Sequence, residues 1–218
     1  NVKREISVVH NFICVKKYQN QVENADKSDF APNGEKILMH ISNFRKVKRI
    51  QDVIKAFAII KEEVSSKLLL IGDGPERVPM EALVRDLALE KQVFFIGEIK
   101  DTETALAMAD VFMLTSESES FGLVALEAMA ASVPVLSSNS GGIPEVNFHG
   151  ETGYLNDVGD YKQMAKNGIQ LLKDDDLYQR ISKGAFERAK QLNISTVAPV
   201  YRSLIHISEP TRLRRISY

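Results

Sequence analysis

The chain has 218 residues, of which 44% are hydrophobic and 26% are charged, so it can bury one substantial core. The formal net charge of −1 provides no basic field that would attract nucleic acid or an anionic membrane. The sequence also contains no apolar run approaching the roughly 18 residues that a membrane-spanning helix needs.

Cys14 is the only cysteine, so an intrachain disulfide cannot form and we expect a reducing, cytoplasmic location. The chain begins at Asn1 without an initiator methionine or a signal peptide. We therefore expect an interior segment of a longer protein. The sequence leaves the oligomeric state open, including assembly as a homo-oligomer.

Residues 1–35 are predicted to form a connecting segment that follows a missing N-terminal half. From Lys36 onward, short apolar runs of strand length alternate with segments in which apolar residues recur at helical spacing. The predicted strands are 37–41, 68–71, 93–96, 111–114 and 133–136. The predicted helices are 50–60, 80–89, 102–109 and 122–131, with two more within 160–191 on either side of an acidic break.

Continuously apolar strands are typical of a parallel sheet that is covered on both faces. Strands and helices that follow one another in strict alternation predict a Rossmann-like, doubly wound α/β domain, here over residues 36–201. Residues 202–218 show neither period and resemble translated sequencing-adapter sequence. We expect a non-native tail, and a genuine disordered basic C-terminus is the alternative.

Ligands of open parallel sheets bind beyond the carboxyl ends of the strands. The run from Glu119 to Glu127 lies there, where a predicted strand gives way to a helix. Gly122 permits close backbone approach, and the unpaired N–H groups at the start of the helix favour a phosphate. Glu127 is placed to accept hydrogen bonds from ribose hydroxyls, and Glu119 faces whatever extends beyond the phosphates. Two solvated acids at a helix end are the alternative.

A second motif, Gly141-Gly142-Ile143-Pro144-Glu145, follows the next predicted strand. Two glycines before X-Pro predict a tight turn whose bare backbone can approach a ligand, with a helix beginning at Pro144. A simple strand-to-helix turn is the alternative. Residues 148–155 continue this motif as a predicted hairpin-like loop.

Together these motifs resemble family 4 of the glycosyltransferases with the GT-B fold. That family carries two glutamates separated by seven residues, a Gly-Gly-X-Pro-Glu turn and a Gly-X-Thr-Gly-Tyr/Phe-Leu loop, and the resemblance covers about residues 11–189. It implies the C-terminal, donor-binding half of a retaining enzyme. In that half, Glu127 would hold the ribose and Glu119 the donor sugar, beside the Gly141-Gly142 turn. The residues whose backbone amides would contact sugar and phosphate are Phe121, Gly122 and Leu123.

The basic run at residues 45–49 gains a role from the same resemblance. Family members use an arginine and, five residues later, a lysine to neutralise the donor diphosphate. Lys48 stands at the lysine position, but Asn43 stands at the arginine position, and Arg45 is the candidate substitute. A leaving diphosphate gains charge as the glycosidic bond breaks. The resemblance implies that side chains supply this charge, without a metal ion or a cofactor.

Within the family, residues 42–49 and 71–76 are similar to those of enzymes that join N-acetylglucosamine to L-malate. This similarity implies UDP-N-acetylglucosamine as the donor and L-malate as the acceptor. It also implies that the uracil lies near Gly97, Ile99 and Lys100. Two alternatives share the motifs, namely another family 4 hexosyltransferase that acts on a lipid or polysaccharide, and a non-catalytic module that binds a nucleotide sugar.

Three further sequence features are interpreted as structural and not as parts of a functional site. The run Gly72-X-Gly74-X-X-Arg77 lacks the third glycine of a dinucleotide fingerprint, which argues against a dehydrogenase. Asp174-X-Asp176 is interpreted as a helix N-cap rather than a metal-binding motif. His40 lies within a predicted strand, so we predict that it belongs to the core.

Overall fold

The sheet of this domain is entirely parallel. The computed structural model describes residues 10–22 and 25–208. The strands are β1 (Lys36–Ile41), β2 (Ser66–Ile71), β3 (Val93–Gly97), β4 (Val111–Leu114), β5 (Val135–Ser138) and β6 (Gly153–Asn156). Their order across the sheet is β3-β2-β1-β4-β5-β6, the order of a doubly wound Rossmann sheet. The predicted fold class is therefore confirmed.

The helices cover both faces of the sheet. They are α1 (Val15–Val22), α2 (Ile50–Glu63), α3 (Arg77–Asp86), α4 (Thr102–Ala107), α5 (Leu123–Ala130), α6 (Tyr161–Lys173), α7 (Asp175–Gln191) and α8 (Ile194–Ser208). Ile37 and Met39 of β1 pack on the face that α1, α4 and α5 cover, whereas Leu38 packs on the face that α2, α3 and α6 cover. Because side chains alternate between two buried faces, β1 is apolar at consecutive positions.

The order in which successive strands are added to the sheet reverses between β1 and β4. β1 pairs with β2 over its whole length, but it pairs with β4 only at Leu38↔Val111 and Met39↔Phe112. The two strands diverge beyond those residues, and the divergence opens a crevice at the carboxyl edge of the sheet. In folds of this class, such a crevice is where ligands bind.

Two predictions for the sheet were wrong. β6 replaces the hairpin-like loop predicted over 148–155, and β5 lies two residues later than the strand predicted over 133–136. Both strands are short and end in buried polar residues, so hydrophobicity does not mark β6 and misplaces the ends of β5. Ser138 donates from Oγ to the Ser116 carbonyl at 2.5 Å, and the Asn156 amide donates to the Ser137 carbonyl at 3.1 Å.

The N-terminal segment contains a helix that the sequence did not predict. α1 has only eight residues, of which Val15 and Tyr18 are buried. At the other end, α8 continues through the predicted boundary at residue 201. Residues 1–9 and 209–218 lie outside the described residues, so the predicted domain limits and the origin of the tail stay predictions.

Glycines hold the loop after β2 against the loop after β1. Gly72 and Gly74 have φ values of +119° and +154°, and a Cβ at Gly72 would lie 1.8 Å from the Ser42 carbonyl oxygen. The Phe44 amide donates to the Asp73 carbonyl at 2.8 Å. The apparent dinucleotide motif therefore fixes the basic loop at the sheet edge.

Among residues 10–22 and 25–208, no helix combines the length and apolar character that crossing a membrane requires.

Candidate functional site

The loops after β1 and β4 lie on either side of the crevice and are joined to each other. The Glu117 amide donates to the Val47 carbonyl at 2.8 Å. The Thr115 hydroxyl donates to the carbonyls of Lys48 and Arg49 at 2.8 and 3.0 Å. Backbone atoms of both loops are thus tied together, which fixes the side chains that they carry.

Lys48 and Glu119 meet across this crevice. The Lys48 ammonium donates to Oε2 of Glu119 at 2.6 Å, and the Ser116 hydroxyl donates to the same oxygen at 3.2 Å. The two charged side chains are only 19% and 17% exposed, so their interaction is less screened than that of a surface pair. The structure therefore brings together Lys48 and Glu119, which together with Arg45 are the catalytic candidates that the resemblance implies.

The two arginines of the basic loop differ in their surroundings. Arg49 donates to Asp52 at 2.6 Å and to Glu117 at 2.8 Å, so it clamps the loop instead of facing the crevice. Arg45 is exposed and forms no ion pair with the described residues. The role that the sequence suggested for Arg45 stays a prediction.

The start of α5 forms one wall of the crevice. Gly122 precedes the helix with a φ of +87°, Phe121 before it is buried, and Leu123 is exposed at the first helical position. The first N–H groups of a helix have no acceptor within it, so this end favours an anion. The predicted phosphate contacts of these three residues remain untested.

The Gly141-Gly142 pair supports the loop that carries Glu119. A Cβ at Gly141 would lie 2.1 Å from the Glu119 carbonyl oxygen, and one at Gly142 would lie 2.2 Å from that of Ser120. The Gly142 amide also donates to the Glu119 carbonyl at 2.8 Å. Protein packing thus explains both glycines, while their predicted contact with a ligand stays a prediction. The predicted helix at Pro144 is a single 3₁₀ turn, Ile143–Glu145.

Glu127 lies further along α5, on the side that packs against α1. Burial raises the pKa of its carboxyl group, a hydrogen bond from the Tyr18 hydroxyl opposes that rise, and the charge of Glu103 adds to it. Glu127 forms no hydrogen bond or ion pair with Lys48 or Glu119 among the described residues. Sequence reasoning missed Tyr18 altogether, because the helix that carries it was not predicted.

An apolar cavity of about 530 Å³ lies beside the end of β3. It is lined by Phe30, Leu69, Ile71, Ile96, Ile99, Lys100, Asp101, Thr104, Ala105 and Met108. Gly97 leads into this region with a φ of +80°, and its carbonyl accepts from the Gly72 amide at 2.8 Å. A volume of this size, with mostly apolar walls and polar groups at the rim, is typical of small-molecule sites.

His40 is buried at the point where β1 and β4 diverge, so the prediction that it belongs to the core is confirmed. Its Nδ1 lies 2.8 Å from the Met113 carbonyl, and its Nε2 lies 2.8 Å from the Ser42 hydroxyl. Since a carbonyl only accepts, Nδ1 carries the proton and Nε2 accepts from Ser42. Burial lowers the pKa of His40 to about 4, so the ring is neutral.

Within the part of the chain that the structure describes, no group of three or more histidine, cysteine or acidic residues could hold a metal ion. Asp174 accepts from the Leu177 amide at 2.9 Å at the start of α7. Its predicted role as an N-cap is therefore confirmed.

The strand order, the glycine-supported loops and the charged crevice are typical of α/β domains that bind a ligand where the strand order reverses. Residues 21–188 match the family described as glycosyl transferases group 1. The chain belongs to this family, as the resemblance of its motifs implied.

Curated relatives of this chain extend beyond the part that it matches. The chain is 45% identical over 205 residues to the N-acetyl-alpha-D-glucosaminyl L-malate synthase of Bacillus anthracis, covering 93% of this chain and 54% of that protein. It is 31% identical over 205 residues to the lipopolysaccharide core biosynthesis glycosyltransferase LpsE of Rhizobium meliloti (strain 1021), covering 93% and 58%. The chain therefore spans about half the length of these curated relatives.

Solved structures show the same fold. The structure of HepE from Anabaena in complex with UDP superposes with a TM-score of 0.83 at 22% identity, covering 92% of this chain and 57% of that chain. At this level of identity the likeness shows the fold alone.

The neutral state of His40 predicts a specific pH dependence of stability. The pKa is about 4 in the folded chain and 6.5 as the ordinary value, so the unfolded state binds more protons between these pH values. Stability should therefore fall as the pH drops from 6.5 towards 4, by up to about 3 kcal/mol from this group. Urea unfolding across this range should show a smaller fall for His40→Asn, whose amide can still donate to Met113.

The matched control is His149→Asn, which removes an exposed histidine and should keep the wild-type pH dependence. Equal pH dependence for wild type and His40→Asn would show that His40 takes up no proton on unfolding in this range. That result would contradict a lowered pKa of His40 in the folded chain.

Proposed function

We propose that this chain is the donor-binding, C-terminal half of a retaining glycosyltransferase that transfers N-acetylglucosamine from UDP-N-acetylglucosamine to L-malate. The observation that carries the proposal is the Lys48–Glu119 pair, with its 2.6 Å contact at the start of α5. A cation, an acid and a helix N-terminus at one crevice fit a ligand that has adjacent anionic and hydroxyl groups.

The ion pair suggests how the diphosphate binds. An ammonium group has three donors, so the diphosphate can take over Lys48 while the start of α5 offers backbone N–H groups. Glu119 then loses its cationic partner and becomes available to accept from hydroxyls of the donor sugar. Arg45, exposed on the same loop, is the second cation that we assign to the diphosphate.

The nucleoside would extend from the phosphates along the carboxyl edge of the sheet. Glu127 on α5 is a partly buried acceptor for the two ribose hydroxyls, and the cavity beside Gly97, Ile99 and Lys100 offers apolar walls for the uracil. Backbone groups of that loop would read the polar edge of the base. Support for a uridine nucleotide also comes from HepE, whose structure contains UDP.

We assign no metal and no cofactor to the transfer. In this proposal Lys48, Arg45 and the N-terminus of α5 together balance the charge that grows on the leaving diphosphate. The acceptor and the groups that orient its hydroxyl would belong to a facing domain, whose closure excludes water from the reacting atoms. The retaining outcome, like the cytoplasmic location, is carried over from the family resemblance and is part of the proposal.

The choice of acceptor depends on the relatives. The protein of Bacillus anthracis is named for L-malate, and its 45% identity exceeds the 31% of the lipopolysaccharide core enzyme. Both relatives match 93% of this chain, however, and a donor half does not select the acceptor. An acceptor from lipopolysaccharide synthesis is therefore the second candidate.

Substitution of Lys48 tests the donor site. Lys48→Met should weaken UDP binding about tenfold or more, because a charge-assisted hydrogen bond contributes roughly 1.5–3 kcal/mol. The affinity for uridine, which has no phosphate, should not change. Isothermal titration calorimetry in EDTA measures both affinities, and EDTA itself should leave UDP binding intact.

Lys46→Met is the matched control, since Lys46 is exposed on the same loop and should contribute only a weak, screened attraction. Equal losses for the two variants would show a diffuse basic surface instead of a diphosphate site. UDP binding that disappears in EDTA and returns with manganese would contradict the metal-independent mechanism.

The acceptor is tested by transfer. The complete protein, incubated with UDP-N-acetylglucosamine and L-malate, should yield UDP and the N-acetylglucosaminyl malate glycoside in equal amounts by mass spectrometry. The 218-residue chain alone should bind the donor and form no glycoside, because the facing wall of the crevice is absent. Efficient glycoside formation by this chain alone would contradict the two-domain site, and failure of the complete protein with malate would favour the second acceptor.

A further inference from the structure

Ser116 lies in the loop after β4, outside the residues that the sequence predicted for the site. It is fully buried, with 0% of its surface exposed. Its hydroxyl donates to Oε2 of Glu119 at 3.2 Å, and the same oxygen accepts from the Lys48 ammonium at 2.6 Å. One oxygen of Glu119 therefore has two donors, of which only Lys48 is charged.

The backbone at Ser116 is fixed independently of Glu119. The Ser116 carbonyl accepts from the Ser138 hydroxyl at 2.5 Å, which ties this loop to the end of β5. The preceding residue, Thr115, donates from its hydroxyl to the Lys48 carbonyl at 2.8 Å, which ties the loop to the basic loop after β1. The Ser116 side chain therefore leaves a backbone that is held from two sides.

The two hydrogen bonds to Glu119 differ in length. The contact with Lys48 is short, whereas the 3.2 Å contact with the Ser116 hydroxyl exceeds the distance of about 2.7–2.8 Å that is most common for O–H···O bonds. If the diphosphate takes over Lys48, Oε2 loses its charged donor and the hydroxyl can move closer to it. Hydrogen bonds that are long in an empty site often shorten in this way when the ligand binds.

A hydroxyl held on Oε2 leaves the other oxygen of Glu119 free. A carboxylate has about four acceptor positions on two oxygens, so Oε1 can accept from a hydroxyl of the donor sugar while Ser116 occupies Oε2. The bond from Ser116 also restricts the rotation of the side chain, so less rotamer freedom is lost when the sugar binds. With UDP alone, water fills the place of the sugar and can hydrate Glu119, so Ser116 matters mainly when a sugar displaces that water.

We propose that Ser116 is a positioning residue, which becomes the partner of Oε2 when the diphosphate binds Lys48 and orients the Glu119 carboxylate for the donor sugar. The inference rests on the proposed roles of Lys48 and Glu119. It goes beyond them because it assigns part of the preference for a UDP-sugar over UDP to a buried hydroxyl that does not itself contact the ligand.

The test compares two ligands by calorimetry on the 218-residue chain. Ser116→Ala removes only the hydroxyl, and it should weaken the binding of UDP-N-acetylglucosamine about five- to tenfold. The same variant should change the affinity for UDP by less than about twofold, because UDP has no sugar for Glu119 to meet. The ratio of the two affinities should therefore fall. A merely structural role for Ser116 would weaken both ligands alike, and that result would overturn the inference.

Ser66→Ala is the matched control. Ser66 is a buried serine whose hydroxyl donates to the Val64 carbonyl at 2.9 Å, at the start of β2 and hence at the opposite edge of the sheet. This variant should leave both affinities unchanged. Thermal unfolding shows whether each variant keeps the fold. Ser116→Cys, whose thiol is only a weak donor, is the second variant and should lower the affinity ratio in the same direction.

Glu119→Ala separates the inference from the proposed function. An affinity ratio that falls in Glu119→Ala but not in Ser116→Ala would overturn the positioning role and leave the sugar role of Glu119 intact. An unchanged ratio in Glu119→Ala would overturn the sugar role, and the inference with it. If both roles hold, Ser116→Ala should not lower the ratio further in the Glu119→Ala background, and a further fall there would show that Ser116 does not act through Glu119.

Discussion

The site depends on the divergence of two neighbouring strands, because β1 and β4 share only two paired positions before they separate. Beyond that point the backbone groups need other partners, and His40 supplies one by donating to the Met113 carbonyl. The loops that leave the two strands are then joined through Thr115 and Glu117. A crevice that is open to a ligand is thus held at a fixed width, with Lys48 on one side and Glu119 on the other.

Much of this architecture could be predicted because burial on two faces leaves a strong pattern. The five apolar runs predicted as strands correspond to β1–β5, and the loops expected at their carboxyl ends carry Lys48 and Glu119, while Glu127 lies on the following helix. The connection rules of parallel sheets restrict the possible strand orders to a few. β6 was missed because Gly153 allows close approach to the Val135 carbonyl, a packing reason that hydrophobicity does not record.

The contacts within the site could not be predicted, since they join residues far apart in the sequence. Nothing in the spacing of Tyr18 and Glu127 indicates that Tyr18 affects the pKa of the Glu127 carboxyl group, because that effect depends on how α1 packs against α5. The motif glycines show the same limit. Gly141 and Gly142 were interpreted as room for a ligand, whereas their Cβ positions face the backbone of residues 119–120. The sequence motifs therefore indicate where the candidate site lies, whereas the packing of the backbone around Gly141 and Gly142 determines its shape.

The central claim is that the donor diphosphate replaces Glu119 as the partner of Lys48. A crystal structure of this chain with UDP-N-acetylglucosamine tests it most directly. We expect the Lys48 ammonium to contact the diphosphate, the ribose hydroxyls to lie within hydrogen-bond distance of Glu127, and the uracil to lie beside Ile99. A donor bound elsewhere, with the Lys48–Glu119 contact still at 2.6 Å, would contradict the account.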